Sequence, residues 1–473
     1  MNSIINHESN KQKCQKFTSQ NEVKKMLDLA DYKENLFGKK ILEYSFGNGN
    51  IIKEVVKRYI DDAFKKKITK EEISKGLSAD IYGIEIDIEL YKKCLDDLNC
   101  LIEKYGIPSV NWSLFCRDTL KWETEIKFDF VIGNPPYISY RYIDSKNRDY
   151  IKRNFSCCQK GKFDYCYAFL EKGIKLLSKS GKMVQLVPSN IYKNVFANEL
   201  RKMLIKGIEI ILEYPDKSLF KDTLTTSSIF LFKNNSSKTV VKYLNVTQNK
   251  HFVISKKSLG DKWEFKAQEK ESSSVKMIRF GDRYNASSSV ATLLNEAFVI
   301  EESGNIESAC LRRGATPRLL RNQKHTYIIF PYYFSEQGDL QHYDENDFKN
   351  RFPNTYAHLL NYNKDLLKRN SDKSAEWYEY GRSQALRNIN QEKLIISTVI
   401  TNRVEIYNLD RDTVPYSGIY IIANNEEYPL NKAKEILEDK SFFEYITSRG
   451  LSVNGKSIRI TCKDINDYYF KEE

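Results

Sequence analysis

From Gln20 to about Lys233 the chain alternates two patterns: amphipathic stretches with apolar residues every three or four positions, and short apolar runs between them. QNEVKKMLDLADY, IIKEVVKRYIDDAF, ELYKKCLDDLNCLIEKYG, DYCYAFLEKGIKLLSKSG and ANELRKMLIKG are predicted helices. KKILEYSF, DIYGIEID, WSLFCRD, KFDFVIG, KMVQLVPS, IEIILEYP and SSIFLFK are predicted strands. An apolar run too short for a helix, followed by an amphipathic crossover, can bury both its faces only in a layered α/β structure. A doubly wound, mostly parallel sheet is therefore expected.

After about residue 235 the pattern changes. TVVKYLNV and HFVISKK are strands without long helices between them, EKESSSVK and YNASSS are Ser-rich loops, and later strand-like pieces (TYIIFPYYF, KLIISTV, GIYIIA) mix with helical ones (FPNTYAHLLNYNKDLLKRN, LNKAKEILEDKSFFEYITSRG). A boundary is expected between 235 and 250, giving domains 1–240 and 241–473, the second an irregular α+β domain. No fixed-period repeat is present.

In open parallel sheets, ligands bind at the carboxyl ends of strands. Four features fall at such ends. Glu43 is followed by Gly47 and Gly49, whose freedom permits a tight turn or close approach to a ligand. Glu85-Ile86-Asp87 ends the next strand, where an acid can accept from ribose hydroxyls. Gly49 and Glu85 are 36 positions apart, longer than the ~20 of a dinucleotide fold; an inserted charged helix in DDAFKKKITKEEISK would explain the excess. Asp118-Thr119 follows the third strand. Each of these also has a plainer reading, as a strand–helix turn or a helix cap.

The fourth is FDFVIGNPPYISY, residues 128–140. Pro135 and Pro136 cannot donate hydrogen bonds, and Pro136 biases Pro135 towards an extended backbone. The result is a stiff loop with available carbonyls. The Asn134 amide oxygen and a backbone carbonyl can each take one proton of an exocyclic NH2, leaving the nitrogen lone pair outward. Tyr137 adds a flat face for stacking.

Lys and Arg number 75 against 63 Asp and Glu, a formal charge of +12 that favours a polyanionic partner. The nine cysteines contain no C-x-x-C pair, so neither a metal site nor a disulfide framework is indicated. The opening MNSIINHESNKQKCQ is too polar for a signal peptide, and no apolar run reaches the ~18 residues of a membrane span. A cytoplasmic location is expected.

The constellation resembles the amino DNA methyltransferases, whose signature is (Asp/Asn/Ser)-Pro-Pro-(Tyr/Phe/Trp), and its order along the chain resembles their gamma class. The resemblance implies a Rossmann-like doubly wound methyltransferase domain followed by an α+β target-recognition domain. It implies S-adenosyl-L-methionine as cofactor and transfer of its methyl group to the N6 of a flipped-out adenine in double-stranded DNA. A bacterial, nucleoid-associated enzyme follows, either solitary or paired with a cognate restriction endonuclease. Lys16, Phe17 and Thr18 resemble the family's F-T-P segment, with Ser19 where Pro is usual. LEYSFGNG resembles L-E-P-x-x-G-x-G, with Tyr44 in place of Pro. By this likeness Lys16, Phe17, Thr18, Glu43, Gly47, Gly49, Glu85, Ile86, Asp118, Thr119 and Asn134 contact the cofactor. Asn134, Pro135, Pro136 and Tyr137 grip the base, with Phe220 as a second aromatic.

In the second half, Arg312, Arg313, Arg318 and Arg321 fall in a run with five basic residues in fourteen positions. Trp377, Tyr378, Arg382 and Gln384 form an aromatic and amide cluster resembling recognition segments of this class. These, with Lys456, are expected DNA contacts, and Arg449 is a further phosphate candidate. Alternatives are an RNA or protein-glutamine methyltransferase, which usually lacks such a second domain; a fused restriction–modification enzyme, for which E-x-K triplets such as Glu264-Phe265-Lys266 lack a partner Asp; and a catalytically silent DNA-binding subunit, against which the intact Asn-Pro-Pro-Tyr argues.

Overall fold

A computed structural model describes residues 18–214, 226–265, 277–453 and 457–472. The chain divides into two compact units, Met1–Lys270 and Glu271–Glu473.

The first unit runs α1 (Gln20–Ala30), β1 (Ile41–Glu43), α2 (Asn50–Lys65), α3 (Lys70–Asp80), β2 (Ile81–Glu85), α4 (Ile88–Lys104), β3 (Ser113–Cys116), β4 (Phe128–Gly133), α5 (Ser145–Asn154), α6 (Tyr165–Leu176), β5 (Leu177–Pro188), α7 (Asn198–Leu204), β6 (Ile208–Tyr214), β7 (Ser227–Lys233), β8 (Val240–Asn245) and β9 (Lys250–Ser255). The strands form one sheet in the order β3-β2-β1-β4-β5-β7-β6-β8-β9. Pairing is parallel from β3 through β5, whereas β7 runs antiparallel to both β5 and β6. The strand order reverses at β1, which lies between β2 and β4.

Successive residues of a strand face opposite sides, and the sheet separates two cores accordingly. Val131, Met183 and Phe230 point to one face, against α6 (Tyr167, Leu170) and α7 (Leu200, Leu204). Their neighbours Ile132, Val184 and Ile229 point to the other, against α1 (Val23, Leu27), α2 (Val55, Tyr59) and α4 (Leu98, Ile102). Each such fully buried side chain is worth about 1.5–3 kcal/mol, so β4 is clamped from both sides.

The charged insertion is a separate helix, α3, opened by a Thr69–Glu72 capping box; it accounts for the long spacing between Gly49 and Glu85. The helix expected to run to Gly181 stops at Leu176. Leu177 already pairs with Phe128, and the register with β4 then shifts by a bulge. A Cβ on Gly181 would lie 2.7 Å from the Phe128 carbonyl oxygen, so the glycine serves the bulge rather than a helix end. The boundary also lies later than 240. β8 pairs parallel with β6, β9 pairs with β8, and Trp263 stacks on Tyr192 at 5.7 Å.

The second unit is α+β as expected. One four-stranded sheet has the order Tyr284–Ser288, Ile419–Ala423, Lys393–Ile396, Ile406–Leu409; another has Val299–Ile300, Thr326–Ile329, Leu311–Ala315, Val414–Pro415. The two long helical patterns each break into a pair, Pro353–Leu360 with Asn363–Leu367 and Leu430–Glu438 with Lys440–Arg449. Among the described residues, no helix is long and apolar enough to cross a membrane.

Candidate active site

β3, β2, β1 and β4 are parallel neighbours, so the segments that leave their carboxyl ends share one edge of the sheet. After β1 the chain turns through Gly47 (φ 53°) and Gly49 (φ 77°), both left-handed. A Cβ on Gly49 would lie 2.5 Å from Cys94 Sγ, so this glycine is needed for both its conformation and its closeness to α4. Glu43 is buried and takes the Ile52 backbone N–H; burial holds its carboxyl well above the usual range, and Oε2 has no hydrogen-bond partner among the described residues.

Glu85, at the end of β2, draws the turn around itself. Its Oε2 accepts from Gly47 N at 2.8 Å, and its Oε1 accepts from Ile86 N at 2.8 Å and Asp87 N at 2.9 Å. Burial raises its pKa although three amides oppose the shift. Beside it Ile86 is 49% exposed, an apolar side chain left uncovered at the strand end. Asp118 accepts from Leu120 N at 3.0 Å and pairs with Lys121 at 3.3 Å. Thr119 differs from expectation: it is buried, and its hydroxyl donates to the Tyr44 carbonyl. Its side chain therefore ties two loops together instead of facing a ligand.

The Asn134-Pro135-Pro136-Tyr137 loop leaves β4 next to this turn. Asn134 Nδ2 donates to Thr18 Oγ1 at 3.3 Å, and Ser45 Oγ donates to the Asn134 carbonyl at 3.2 Å. Thr18 is buried, and its carbonyl accepts from Asn50 Nδ2 at 2.8 Å. Tyr137 stays partly exposed while burial pushes its phenol well above 10, with Cys166 and Asp164 adding to the shift. Beyond it, Tyr165 N donates to the Ile138 carbonyl at 2.9 Å, and Ser139 bridges Asp164. Asp164 caps α6 through Cys166 N, and burial raises its carboxyl from 3.8 to about 6. Ser45 and Asp164 escaped notice in the sequence. The first is an unremarked position inside the glycine turn; the second reads only as a helix cap before an apolar run.

Thus Thr18, Glu43, Gly47, Gly49, Glu85, Ile86, Asp118 and Asn134 lie along one strand-end edge of the first unit. Lys16, Phe17, Phe220 and Lys456 lie outside the described residues.

The second unit treats its expected contacts differently. Tyr378 is fully buried: its ring stacks on Phe348 at 4.9 Å, and its hydroxyl donates to the Tyr343 carbonyl at 2.8 Å. It is a core residue. Arg312 also turns inward, 4.3 Å from the Phe330 ring centroid and 3.5 Å from Asp412, and burial lowers its pKa. The Trp377 indole N–H donates to Glu345 at 2.8 Å, and Arg382 pairs with Asp372 at 2.7 Å. Arg321 is exposed but bound to Glu405 at 2.6 Å. Arg449, mostly covered, sits 3.4 Å from both Asp464 and Asp467, so its charge is already matched. Arg313, Arg318 and Gln384 are exposed. Among the described residues no cluster of His, Cys, Asp and Glu is arranged to hold a metal ion.

Residues 32–220 match the Eco57I restriction-modification methylase family model. The type II methyltransferase M.BstVI of Geobacillus stearothermophilus is 30% identical over 234 residues, covering 46% of this chain and 41% of that protein. The restriction enzyme and methyltransferase RM.Eco57I of Escherichia coli is 24% identical over 388 residues, 69% of this chain and 38% of its own length. The chain thus spans less than half of either relative. Among solved structures, the type IIL restriction-modification enzyme MmeI in complex with DNA has the same fold at a TM-score of 0.57, with 14% identity, 95% of this chain and 64% of that chain covered. The span that matches the Eco57I restriction-modification methylase family model, residues 32–220, carries the glycine turn, Glu85, Asp118 and the Asn-Pro-Pro-Tyr loop.

Proposed function

We propose that this chain is a site-specific DNA methyltransferase. It transfers the methyl group of S-adenosyl-L-methionine to the N6 amino group of an adenine flipped out of duplex DNA. It is the modification activity of a restriction–modification system, working on nucleoid DNA in the cytoplasm beside a cognate endonuclease. The observation that carries this reading is the Asn134–Tyr137 loop, held by Thr18 and Ser45 directly beside the glycine turn.

The residues present fit the cofactor. The buried Glu43 oxygen without a partner marks a polar cradle beneath the turn, the Glu85 and Asp118 carboxyls suit hydroxyl and amino donors, and Ile86 suits the face of an adenine ring. Bound there, S-adenosylmethionine supplies an electrophilic methyl group on a sulfonium.

The rest is the work of this chain. Extruding the base costs about a few kcal/mol, and stacking on Tyr137 offsets ~1–3 kcal/mol of it. The buried phenol end of Tyr137 anchors that ring. With Nδ2 directed at Thr18, the planar Asn134 amide offers its oxygen to one amine proton, and the Pro135 carbonyl takes the other. Positive charge grows on the amine nitrogen as it reacts, and acceptors already fixed in place stabilise it without reorganising. The second unit reads the sequence, with Arg313, Arg318 and Gln384 as its available contacts and with Trp377 and Arg382 reaching DNA only if Glu345 and Asp372 release them.

The test is methyl transfer from radiolabelled cofactor to unmodified genomic DNA, followed by digestion and nucleoside chromatography. Label in N6-methyladenine is expected. Label in N4-methylcytosine would overturn the adenine assignment, and label appearing only with RNA or protein substrates would overturn the DNA reading.

A further inference from the structure

Residues 141–162 contain seven basic and two acidic side chains, so this stretch of the first unit carries five of the chain's twelve net positive charges. None of the seven takes part in an ion pair among the described residues. Asp144 is spent on α5, accepting from Asn147 N at 3.0 Å and Asn147 Nδ2 at 2.6 Å. Asp149 is exposed and engages Arg153 only through its backbone carbonyl. Asp164, across the Ser139 bridge, faces the amide of Cys166.

The charges are also organised. Arg148 and Lys152 stand one turn apart on the same face of α5 and converge on one ring, 4.9 Å and 5.5 Å from the Tyr140 centroid. Arg141 lies 4.5 Å from the Tyr142 ring. Like charges at this spacing repel one another, and an aromatic face compensates only weakly. Both cations hold the Tyr140 phenol below its usual range, so the ring hydroxyl is itself drawn into the cationic cluster. Lys121, on the β3–β4 connection and paired with Asp118 at 3.3 Å, reaches the same helix at Asn147, 3.3 Å away.

This face is fixed to the catalytic loop. Tyr140 follows Tyr137 by three residues, a reach of at most ~10 Å. The intervening backbone is pinned to residues 164 and 165, and the Tyr140 ring packs edge-on against Phe163 at 5.2 Å. Phosphates flanking an extruded nucleotide must be gripped if the strand is to stay rotated.

We propose that the surface built from Tyr140 and Arg141, just before α5, and from Arg148 and Lys152 of α5 is a phosphate clamp for the DNA strand that carries the target base. It rests on the DNA reading above and adds a DNA-binding surface in the first unit, distinct from the contacts expected in the second. Its ligand is backbone phosphate, and it carries no sequence information.

Anisotropy titration of a fluorescein-labelled DNA duplex across a salt series tests this, with wild type, R141A/K152A and the charge-keeping R141K/K152R. Neither Arg141 nor Lys152 touches the glycine turn, so calorimetric affinity for S-adenosylmethionine is expected to match wild type in both variants. R141A/K152A is expected to weaken duplex affinity about tenfold or more at low salt. It should flatten the slope of log Kd against log salt by about 2, at ~0.9 per phosphate contact. R141K/K152R should keep the wild-type slope. A wild-type slope in R141A/K152A overturns the clamp while leaving the methyltransferase reading intact. Equal losses in the alanine and charge-keeping variants also overturn it, because they would mark a structural role. A wild-type chain that binds no duplex overturns the DNA reading and the clamp together.

Discussion

The two units hold charged and aromatic residues under opposite constraints. In the first, Glu43, Glu85, Asp118 and Asn134 sit where strands of one sheet end, and the chain must turn there whatever else it does. Parallel pairing of β3, β2, β1 and β4 then lines these turns along a single edge. In the second, Arg312, Trp377 and Tyr378 lie in short strands and loops whose two sides are equally accessible to the chain. Packing sends Tyr378 into the core against Phe348 and Arg312 under Phe330. A residue's role is therefore dictated by backbone topology in the first unit, and by which side of an irregular element faces solvent in the second.

The largest expected effect breaks the site of the first unit. Asn134→Ala removes the amide proposed to orient the amine, and with it the proposed acceptor for charge that develops only during reaction. Single-turnover methyl transfer should fall about a thousandfold, roughly 4 kcal/mol. Calorimetric affinity for S-adenosylmethionine should change less than about threefold, since the Glu85–Gly47 contacts remain. Transfer within tenfold of wild type would remove Asn134 from the role assigned to it.

The second unit should respond to Tyr378 in the opposite way. Tyr378→Ala deletes a buried ring and its hydrogen bond to Tyr343, so the unit should lose about 3 kcal/mol of stability in denaturant unfolding. Exposed Gln384, six residues on, should cost less than about 0.5 kcal/mol as alanine while altering DNA selectivity. A stable Tyr378→Ala protein with lost selectivity would reverse the assignment of these two residues.

How far the fold was legible follows the same division. Apolar runs of β1, β2, β4 and β5 are buried on both faces, so their composition alone marks them as strands. The Asn-Pro-Pro-Tyr loop is legible because prolines at a strand end have few other uses. The antiparallel β7 was hidden, since SSIFLFK reads the same in either direction. So was the end of α6 at Leu176, because KLLSKSG, residues 175–181, keeps helical spacing across it while the backbone after Leu176 bulges against Phe128. Thr119 resembles a ligand contact from its neighbours in sequence, yet its hydroxyl is used by Tyr44, which is 75 residues away. Contacts of that range leave no local periodicity.

A smaller effect ties the Asn-Pro-Pro-Tyr loop to stability. Burial raises the Asp164 carboxyl from 3.8 to about 6. Between those values the folded state binds more protons than the unfolded chain, so stability is greatest below about pH 4 for this group and is lost as pH rises through about 6. Asp164→Asn keeps an N-cap for α6 and removes the titration. The stability difference between wild type and Asp164→Asn should shift by about 2 kcal/mol across that window in favour of the variant at higher pH, measured by urea unfolding at several pH values. A difference independent of pH would show that the carboxyl ionises as an exposed one does.

The smallest expected effect separates two arginines of one short helix, Pro317–Arg321. Arg321 is held by Glu405 at 2.6 Å, and Glu405 also takes Arg403 at 3.0 Å. Arg318 is exposed and has no acidic partner among the described residues. A phosphate must compete with Glu405 for Arg321 but not for Arg318, so most of the counterion release from this helix should come from Arg318. Arg318→Ala should lower the salt slope of DNA binding by about 0.9, a few-fold loss at moderate salt. Arg321→Ala should lower it by less than half as much. Equal slopes in the two variants would mean that DNA pulls Arg321 away from Glu405, and that ion pairing in the free protein is no guide to which basic residues of the second unit meet phosphate.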